Sequence, residues 1–278
     1  MVTFRRVSTA IMMAIIVLAV PLGIEEVHAS NGAPPCVGAH CPALADHGGP
    51  LLRTASVYLV TFATRGATAL APGLVAGFGS TVDAITLSPQ AQWWETEYGV
   101  GRAHYAGHIS LRSRTLGTAR LVSDGQIVTA LADGRAYGKL PSGNGVLYVV
   151  ATRAGQVVTY PGPHGQENST YEFCGYHSFT SGYTGPNYPY IVLPNETGQP
   201  FCESGLSPVD LWVYVLAHEV AETMTDPYGN GWASGGRGGN EIADLCEKQL
   251  PSGMTNWNGG TYYFPLLFDN RHHYCRRW

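Results

Sequence analysis

The stretch that decides the fold is Ser207–Pro227, SPVDLWVYVLAHEVAETMTDP. It opens as a helix opens: Ser207 stands at the N-cap, Pro208 at the first helical position and Asp210 at the third, where an acid meets the free N–H groups of the first turn. Asp226-Pro227 closes it, because the residue before a proline is pushed out of the helical region. Between these ends Val209, Trp212, Val213, Leu216, Val220 and Met224 recur at helical spacing. The apolar stripe is wide, so the sequence predicts a well-buried helix to about Thr225.

Within that apolar helix sits His218-Glu219-Val220-Ala221-Glu222. Four residues apart, His218 and Glu222 project from one face about one turn from each other. Glu219 lies next to His218, where it can reach a water on a metal held by the other two. The familiar form of this device is H-E-x-x-H, with two His ligands and a Glu general base; here the second ligand is a carboxylate. Nineteen residues beyond Glu222 comes Glu241, within Asn240-Glu241-Ile242-Ala243-Asp244. In the gluzincin peptidases a second helix supplies a third ligand at a similar distance, so Glu241 is the expected third ligand. Asp244, one helical turn on, is expected to orient His218 or to bind the metal itself.

A His with acids at one and four residues is also ordinary on a solvated helix face and needs no ion. The flanks here, Leu216-Ala217 and Val220-Ala221, are apolar. Buried carboxylates without a cation or donors are costly, so the motif favours a metal. His and two carboxylates neutralise Zn²⁺ fully, which makes the ion a weaker Lewis acid and its water less acidic. Hard oxygen donors also move preference toward Mn²⁺, Ca²⁺ or Mg²⁺. Hydrolysis at such a centre is expected to be slower, or more alkaline, than at a two-His zinc site.

The rest of the chain frames this site. Its 278 residues carry 16 Lys+Arg and 20 Asp+Glu, a formal charge of −4, and only 13% charged residues, about half the usual ~25%. The 45% hydrophobic content excludes a disordered polyelectrolyte, and the lack of a Lys/Arg stripe excludes a nucleic-acid binder. With so few charges to place, acids on an apolar helix are hard to read as solubilising decoration.

Arg5 and Arg6, the apolar run Ala10–Val20, Pro21 and Val27-His28-Ala29 have the layout of a secretory signal peptide over residues 1–29. The run is short of the ~20 residues that span a bilayer. A secreted, extracellular chain without a membrane span is therefore expected. Residues 30–52 read as a Gly/Pro-rich linker, and residues 53–278 as one domain. Export makes the six cysteines disulfide candidates. Sequence proximity favours Cys36–Cys41, Cys174–Cys202 and Cys246–Cys275 among the fifteen possible connectivities. Asn168-Ser-Thr and Asn195-Glu-Thr fit the N-glycosylation acceptor pattern.

Residues 56–62, 146–152 and 188–193 read as buried strands, and 104–112 alternates like a strand. Pro89 predicts that 80–98 holds two short helices, or one beginning near Ser88; 122–132 reads as a helix. Strands and helices interleave over the first half, so an α/β or α+β layer is expected; of the two, the expected fold class is an α+β domain with a mixed sheet and a buried active-site helix.

Phe173-Cys174-Gly175-Tyr176-His177, Thr225-Asp226-Pro227-Tyr228-Gly229-Asn230-Gly231-Trp232, Glu241-Ile242-Ala243-Asp244-Leu245-Cys246 and Tyr263-Phe264-Pro265-Leu266-Leu267-Phe268-Asp269 follow one another in order. With Trp93-Trp94, these stretches resemble the phosphate-induced/EXORDIUM family of secreted proteins, from about residue 55 to the end. Plant members of that family are wall-associated and linked to growth, and many lack the H-E-x-x-E residues. Microbial members commonly keep them and look like zincin metallopeptidases; this sequence matches the metal-competent kind. The resemblance implies a single zincin-like, disulfide-stabilised domain that acts on a peptide or protein substrate. Zn²⁺ would sit on His218, Glu222, Glu241 and Asp244, with Glu219 as general base. His177 would face the site as a substrate or oxyanion donor, or stand beside the disulfide as a structural residue. The competing reading is a non-catalytic cell-wall or signalling protein that keeps a structural metal and meets an extracellular ligand. Asp226 reads as a turn former. Tyr228 and Trp232 read as cleft lining or plugs, Gly235–Gly239 as a flexible rim, and His272-His273 as an adventitious metal binder.

Overall fold

The computed structural model describes residues 43–277 apart from short stretches at 64–69, 71, 90, 114–115, 163–164, 182–185, 196–201, 203–204, 236–238 and 248–253. Strand β1 (Leu44–Asp46), β2 (Thr54–Ala63), α1 (Pro72–Leu87), α2 (Gln92–Tyr98) and β3 (Arg102–Arg112) come first. They lead into β4 (Leu121–Ser123), α3 (Asp124–Ala136), β5 (Val146–Ala151), β6 (Val157–Gly162), β7 (Gly165–Asn168), β8 (Tyr176–Phe179) and β9 (Pro189–Leu193). Helix α4 (Pro208–Thr225) and β10 (Trp232–Ser234) follow, then the hairpins β11 (Met254–Trp257) with β12 (Gly260–Tyr263) and β13 (Leu267–Asp269) with β14 (Tyr274–Arg276).

The central sheet runs in the order β3-β2-β5-β9-β8. Its first four strands are parallel, and β8 closes the edge antiparallel to β9. Side chains alternate between two buried clusters. Leu147, Val149 and Ala151 of β5 and Ile191 and Leu193 of β9 face the cluster that holds α1, α2 and α4. Val146, Tyr148 and Val150, with Tyr190 and Val192, face the one that holds α3 and β6. Both faces are covered, which explains why these strands read as unbroken apolar runs. The expected α+β architecture with a mixed sheet is what the chain forms.

Helix α4 packs against β8, β9, α1 and β12. Its ends are those the sequence predicts. The Ser207 hydroxyl accepts the Asp210 N–H at 3.2 Å and donates to Asp210 Oδ2 at 2.6 Å. From Leu211 to Thr225 all but Tyr214 is buried.

Three local expectations are corrected. The 80–98 region is two helices broken at Ser88-Pro89, but α1 begins at Pro72, well before Ser80. Its glycines lower helix propensity and hide it from the sequence. Gly79 has a packing reason: a Cβ would come within 2.8 Å of the Tyr105 ring on β3. The 122–132 helix starts later and runs further. Leu121–Ser123 pairs parallel with β6, and Ser123 then caps α3 in a reciprocal box with Gln126. The end of the expected linker is part of the body: β1 pairs antiparallel with β10, and the Leu52 N–H donates to the Met224 carbonyl at 3.0 Å. The expected signal peptide and the expected Cys36–Cys41 pair lie outside the described residues.

Two of the expected disulfides are present, Cys174–Cys202 and Cys246–Cys275. Among the described residues no helix is long and apolar enough to cross a membrane.

Candidate metal centre

Three segments distant in sequence meet at the site. Helix α4 brings His218, Glu219 and Glu222, and edge strand β8 brings His177. The run leading into a short 3₁₀ turn at Asp244–Cys246 brings Glu241, and the first residue of that turn is Asp244. All six side chains are buried.

Strand β8 can approach α4 because residue 175 is glycine. A Cβ there would meet Val215 Cγ1 at 2.5 Å and Glu219 Oε1 at 3.4 Å. The Glu241–Asp244 run is not the second helix that the gluzincin comparison implies. The Ile242 carbonyl accepts the Phe268 N–H of β13 at 2.8 Å, and Cys246 is tied to Cys275 of β14, so the chain is committed to the C-terminal hairpin. Glu222 also anchors this run: its Oε1 accepts the N–H groups of Ala243 and Asp244 at 3.2 and 3.1 Å.

The donor atoms fall into two groups that share Glu222. His218 Nε2 stands 3.1 Å from Glu222 Oε2 and 3.4 Å from Asp244 Oδ1. His177 Nε2 stands 3.5 Å from Glu241 Oε2, and its Nδ1 3.8 Å from Glu222 Oε2. Within the sets His218/Glu222/Asp244 and His177/Glu222/Glu241, one atom per residue lies within 4.8 Å of the others. Glu241 is thus placed with His177 rather than with His218, and Asp244 takes the place beside His218. Glu219 belongs to neither set; its Oε2 pairs with His177 Nδ1 at 3.4 Å.

Glu222 Oε2, Glu241 Oε2 and Asp244 Oδ1 accept no hydrogen bond although they are sealed from solvent. Among the described residues, no Lys or Arg forms an ion pair with any acid of the site. The electrostatics follow from this crowding. Burial pushes Glu222 up to about 7, helped by the Asp244 and Glu219 charges and opposed by His218. Burial, then the charges of Glu222, Asp226 and Asp244, holds Glu241 well above the usual carboxylate value. Burial alone would lower both histidines. The adjoining carboxylates outweigh it, so His177 sits above its ordinary value and His218 well above it.

Sequence reading missed the part Asp226 plays. Its Oδ1 accepts the Asn230 and Gly231 N–H groups at 2.7 Å, as a turn former should, but its carboxyl also lies against Glu241. The i, i+4, i+8 spacing His218, Glu222, Asp226 is the signal that could have found it. Trp232 is committed to packing, with its indole N–H on the Tyr98 carbonyl at 3.1 Å and its ring edge-on to Tyr98. Tyr228 packs edge-on against Phe179 of β8. His272 pairs with Asp269 at 2.8 Å and belongs to neither donor set.

Comparison with known proteins gives two relatives. The chain is 33% identical over 123 residues to EXORDIUM-like 3 of Arabidopsis thaliana, which is 36% of this chain and 35% of that protein. It is 35% identical over 100 residues to EXORDIUM-like 5 of the same plant, 35% of this chain and 24% of that protein. The matched part therefore spans about a third or less of each relative's length. No family model and no solved structure matches the chain. On these partial matches, the chain is similar to EXORDIUM-like proteins.

Proposed function

We propose that this protein is a secreted metal-dependent hydrolase, a zincin-like metallopeptidase acting through its H-E-x-x-E helix. One observation carries the reading: three buried carboxylate oxygens without a hydrogen-bond donor converge with imidazole nitrogens, and among the described residues no Lys or Arg ion pair offsets them. Such oxygens are costly without a cation. The spacing suits one. Ligand atoms of a tetrahedral ion with bonds near 2.1 Å lie about 3.4 Å apart, and the His218 contacts are 3.1 and 3.4 Å.

His218, Glu222 and Asp244 would hold Zn²⁺, or a harder ion such as Mn²⁺ or Ca²⁺. The ion supplies Lewis acidity toward a carbonyl and makes a bound water easier to deprotonate. Glu219, one residue from the ligand His218 and outside the donor set, takes the proton from the attacking water and passes it to the leaving amine. His177, paired with Glu219 through Nδ1, fixes where that carboxylate points. The buried apolar walls of α4 exclude bulk water and strengthen each of these interactions. Disulfides beside the site and similarity to EXORDIUM-like proteins support an extracellular setting.

The depth of the site favours a second reading, a non-catalytic extracellular protein with a structural metal, because every candidate ligand is under a tenth exposed. Glu219→Gln separates the two. If the protein is an enzyme, the variant keeps its metal and loses cleavage of a broad peptide library by ~100-fold or more. If wild-type protein carrying metal cleaves nothing in that library, the hydrolase reading is wrong.

A further inference from the structure

We propose that the centre takes two divalent cations that share Glu222: one on His218, Glu222 and Asp244, the other on His177, Glu222 and Glu241. The proposal rests on the metal reading above and extends it to a site with its own ligands.

Geometry comes first. The two donor sets meet at one carboxylate. Glu222 Oε1 is spent on the Ala243 and Asp244 N–H groups, so Oε2 faces both histidines, at 3.1 Å from His218 Nε2 and 3.8 Å from His177 Nδ1. No single set of mutually close donors contains both histidines, or both Glu241 and Asp244. One ion with bonds near 2.1 Å serves one set and leaves the other. Two ions about 3.5–4 Å apart, bridged by a shared ligand, are a familiar hydrolytic arrangement.

The second set is also dressed as ligands are. His177 Nδ1 pairs with Glu219 Oε2 at 3.4 Å. With that nitrogen donating, Nε2 turns its lone pair toward Glu241 Oε2 at 3.5 Å. A carboxylate that fixes the tautomer of an imidazole is the usual support of a metal-binding His. Glu241 Oε2 is buried and accepts no hydrogen bond, so an ion between it and His177 Nε2 would give both a partner.

Charge decides in the same direction. Glu219, Glu222, Asp226, Glu241 and Asp244 are all buried in one cluster. With all five carboxylates deprotonated, as ligation requires of the donors, and with neutral imidazoles, one divalent ion leaves three negative charges uncompensated and two ions leave one. In a low-dielectric interior, the second ion removes the larger part of the remaining repulsion.

The test is Mn²⁺ binding to the full-length oxidised protein, with ions counted by mass spectrometry after equilibrium dialysis and their proximity read by electron paramagnetic resonance. At saturation, two Mn²⁺ per chain and the spectrum of a spin-coupled pair are expected. Glu241→Gln and Asp244→Asn should each leave one uncoupled ion, and Glu222→Gln should weaken both by ~10-fold or more. A His272→Ala background removes the Asp269–His272 pair as a source of extra ions. One ion per chain at saturation in the wild type, or two ions without coupling, overturns the proposal, and neither result depends on how any variant folds. Two coupled ions in a protein that cleaves nothing would leave this proposal standing and defeat the hydrolase reading; one ion with cleavage would do the reverse.

Discussion

The Asp244 N–H donates to Glu222 Oε1 at 3.1 Å across twenty-two residues of chain, while the Asp244 carboxylate and the other Glu222 oxygen flank the same His218 nitrogen. One carboxylate therefore positions the loop with one atom and faces the histidines with the other. Helix and loop cannot be adjusted separately, and the site's protons become a property of the fold.

The first consequence is a pH dependence of the metal-free protein. Glu222, Glu241, His177 and His218 all bind their protons more tightly in the fold than in the unfolded chain. Stability from such groups is fully present below the unfolded values and is lost as pH rises through the folded ones. The chelated protein should therefore melt at progressively lower temperature as pH rises from about 4.5 through about 7. Saturating Mn²⁺ should flatten or reverse that slope, since ligands bind metal deprotonated. Scanning calorimetry with and without chelator checks it. A melting temperature that climbs with pH in the chelated protein would contradict the buried, proton-holding cluster.

Gly175 gives a steric test. Gly175→Ala puts a methyl 2.5 Å from Val215 Cγ1, and overpacking of this kind costs about 1–3 kcal/mol. The displaced strand is β8, which carries His177, so metal affinity should fall with stability. Gly125→Ala is the contrast. It lies in α3 with nothing within 4 Å of the added carbon, and should gain up to ~1 kcal/mol in urea denaturation with metal binding unchanged.

How far the site could be read from sequence depends on the range of the forces that made it. Helix α4 was legible because Ser207, Pro208, Asp226 and Pro227 act on their own neighbours, and so were β2, β5 and β9, whose apolar runs need only a sheet covered on both faces. Helix α1 was not, because its glycines lower helix propensity and the reason for Gly79 is Tyr105 on another element. The start of α3 was misplaced because Leu121–Ser123 owes its strand to β6. Within the site the residues could be named from spacing, but their partnership could not. Glu241 goes with His177 because the Ile242 carbonyl is held by Phe268, a contact no local pattern announces.

Asp226 should be separable into its two parts. Asp226→Asn keeps an oxygen to accept the Asn230 and Gly231 N–H groups, so stability at low pH should change by less than ~1 kcal/mol. The charge beside Glu241 is gone, and that carboxyl should titrate lower. Carboxyl titration followed by infrared or carbon NMR reads the shift; an unchanged Glu241 would remove Asp226 from the cluster.

The disulfides should matter to the ion as well as to the fold. Their sequence separations of 28 and 29 residues correspond to about 3–4 kcal/mol each by loop entropy. Paired Cys→Ser variants at either bridge should lose stability on that scale and metal affinity by ~10-fold or more, measured by denaturation and dialysis. Loss of stability with affinity retained would show that the bridges hold the domain without shaping the donors.

Each bridge begins next to a donor segment: Cys174 is three residues before His177, and Cys246 two after Asp244. On the metal reading, the cation's home would be finished by oxidation, after translation and wherever thiols are being joined. Which ion fills it would then depend on the supply in that compartment, because tightly binding metals in the place of synthesis would meet a chain that holds them less well. The order of assembly would do some of the selecting that affinity alone would leave to the strongest competitor.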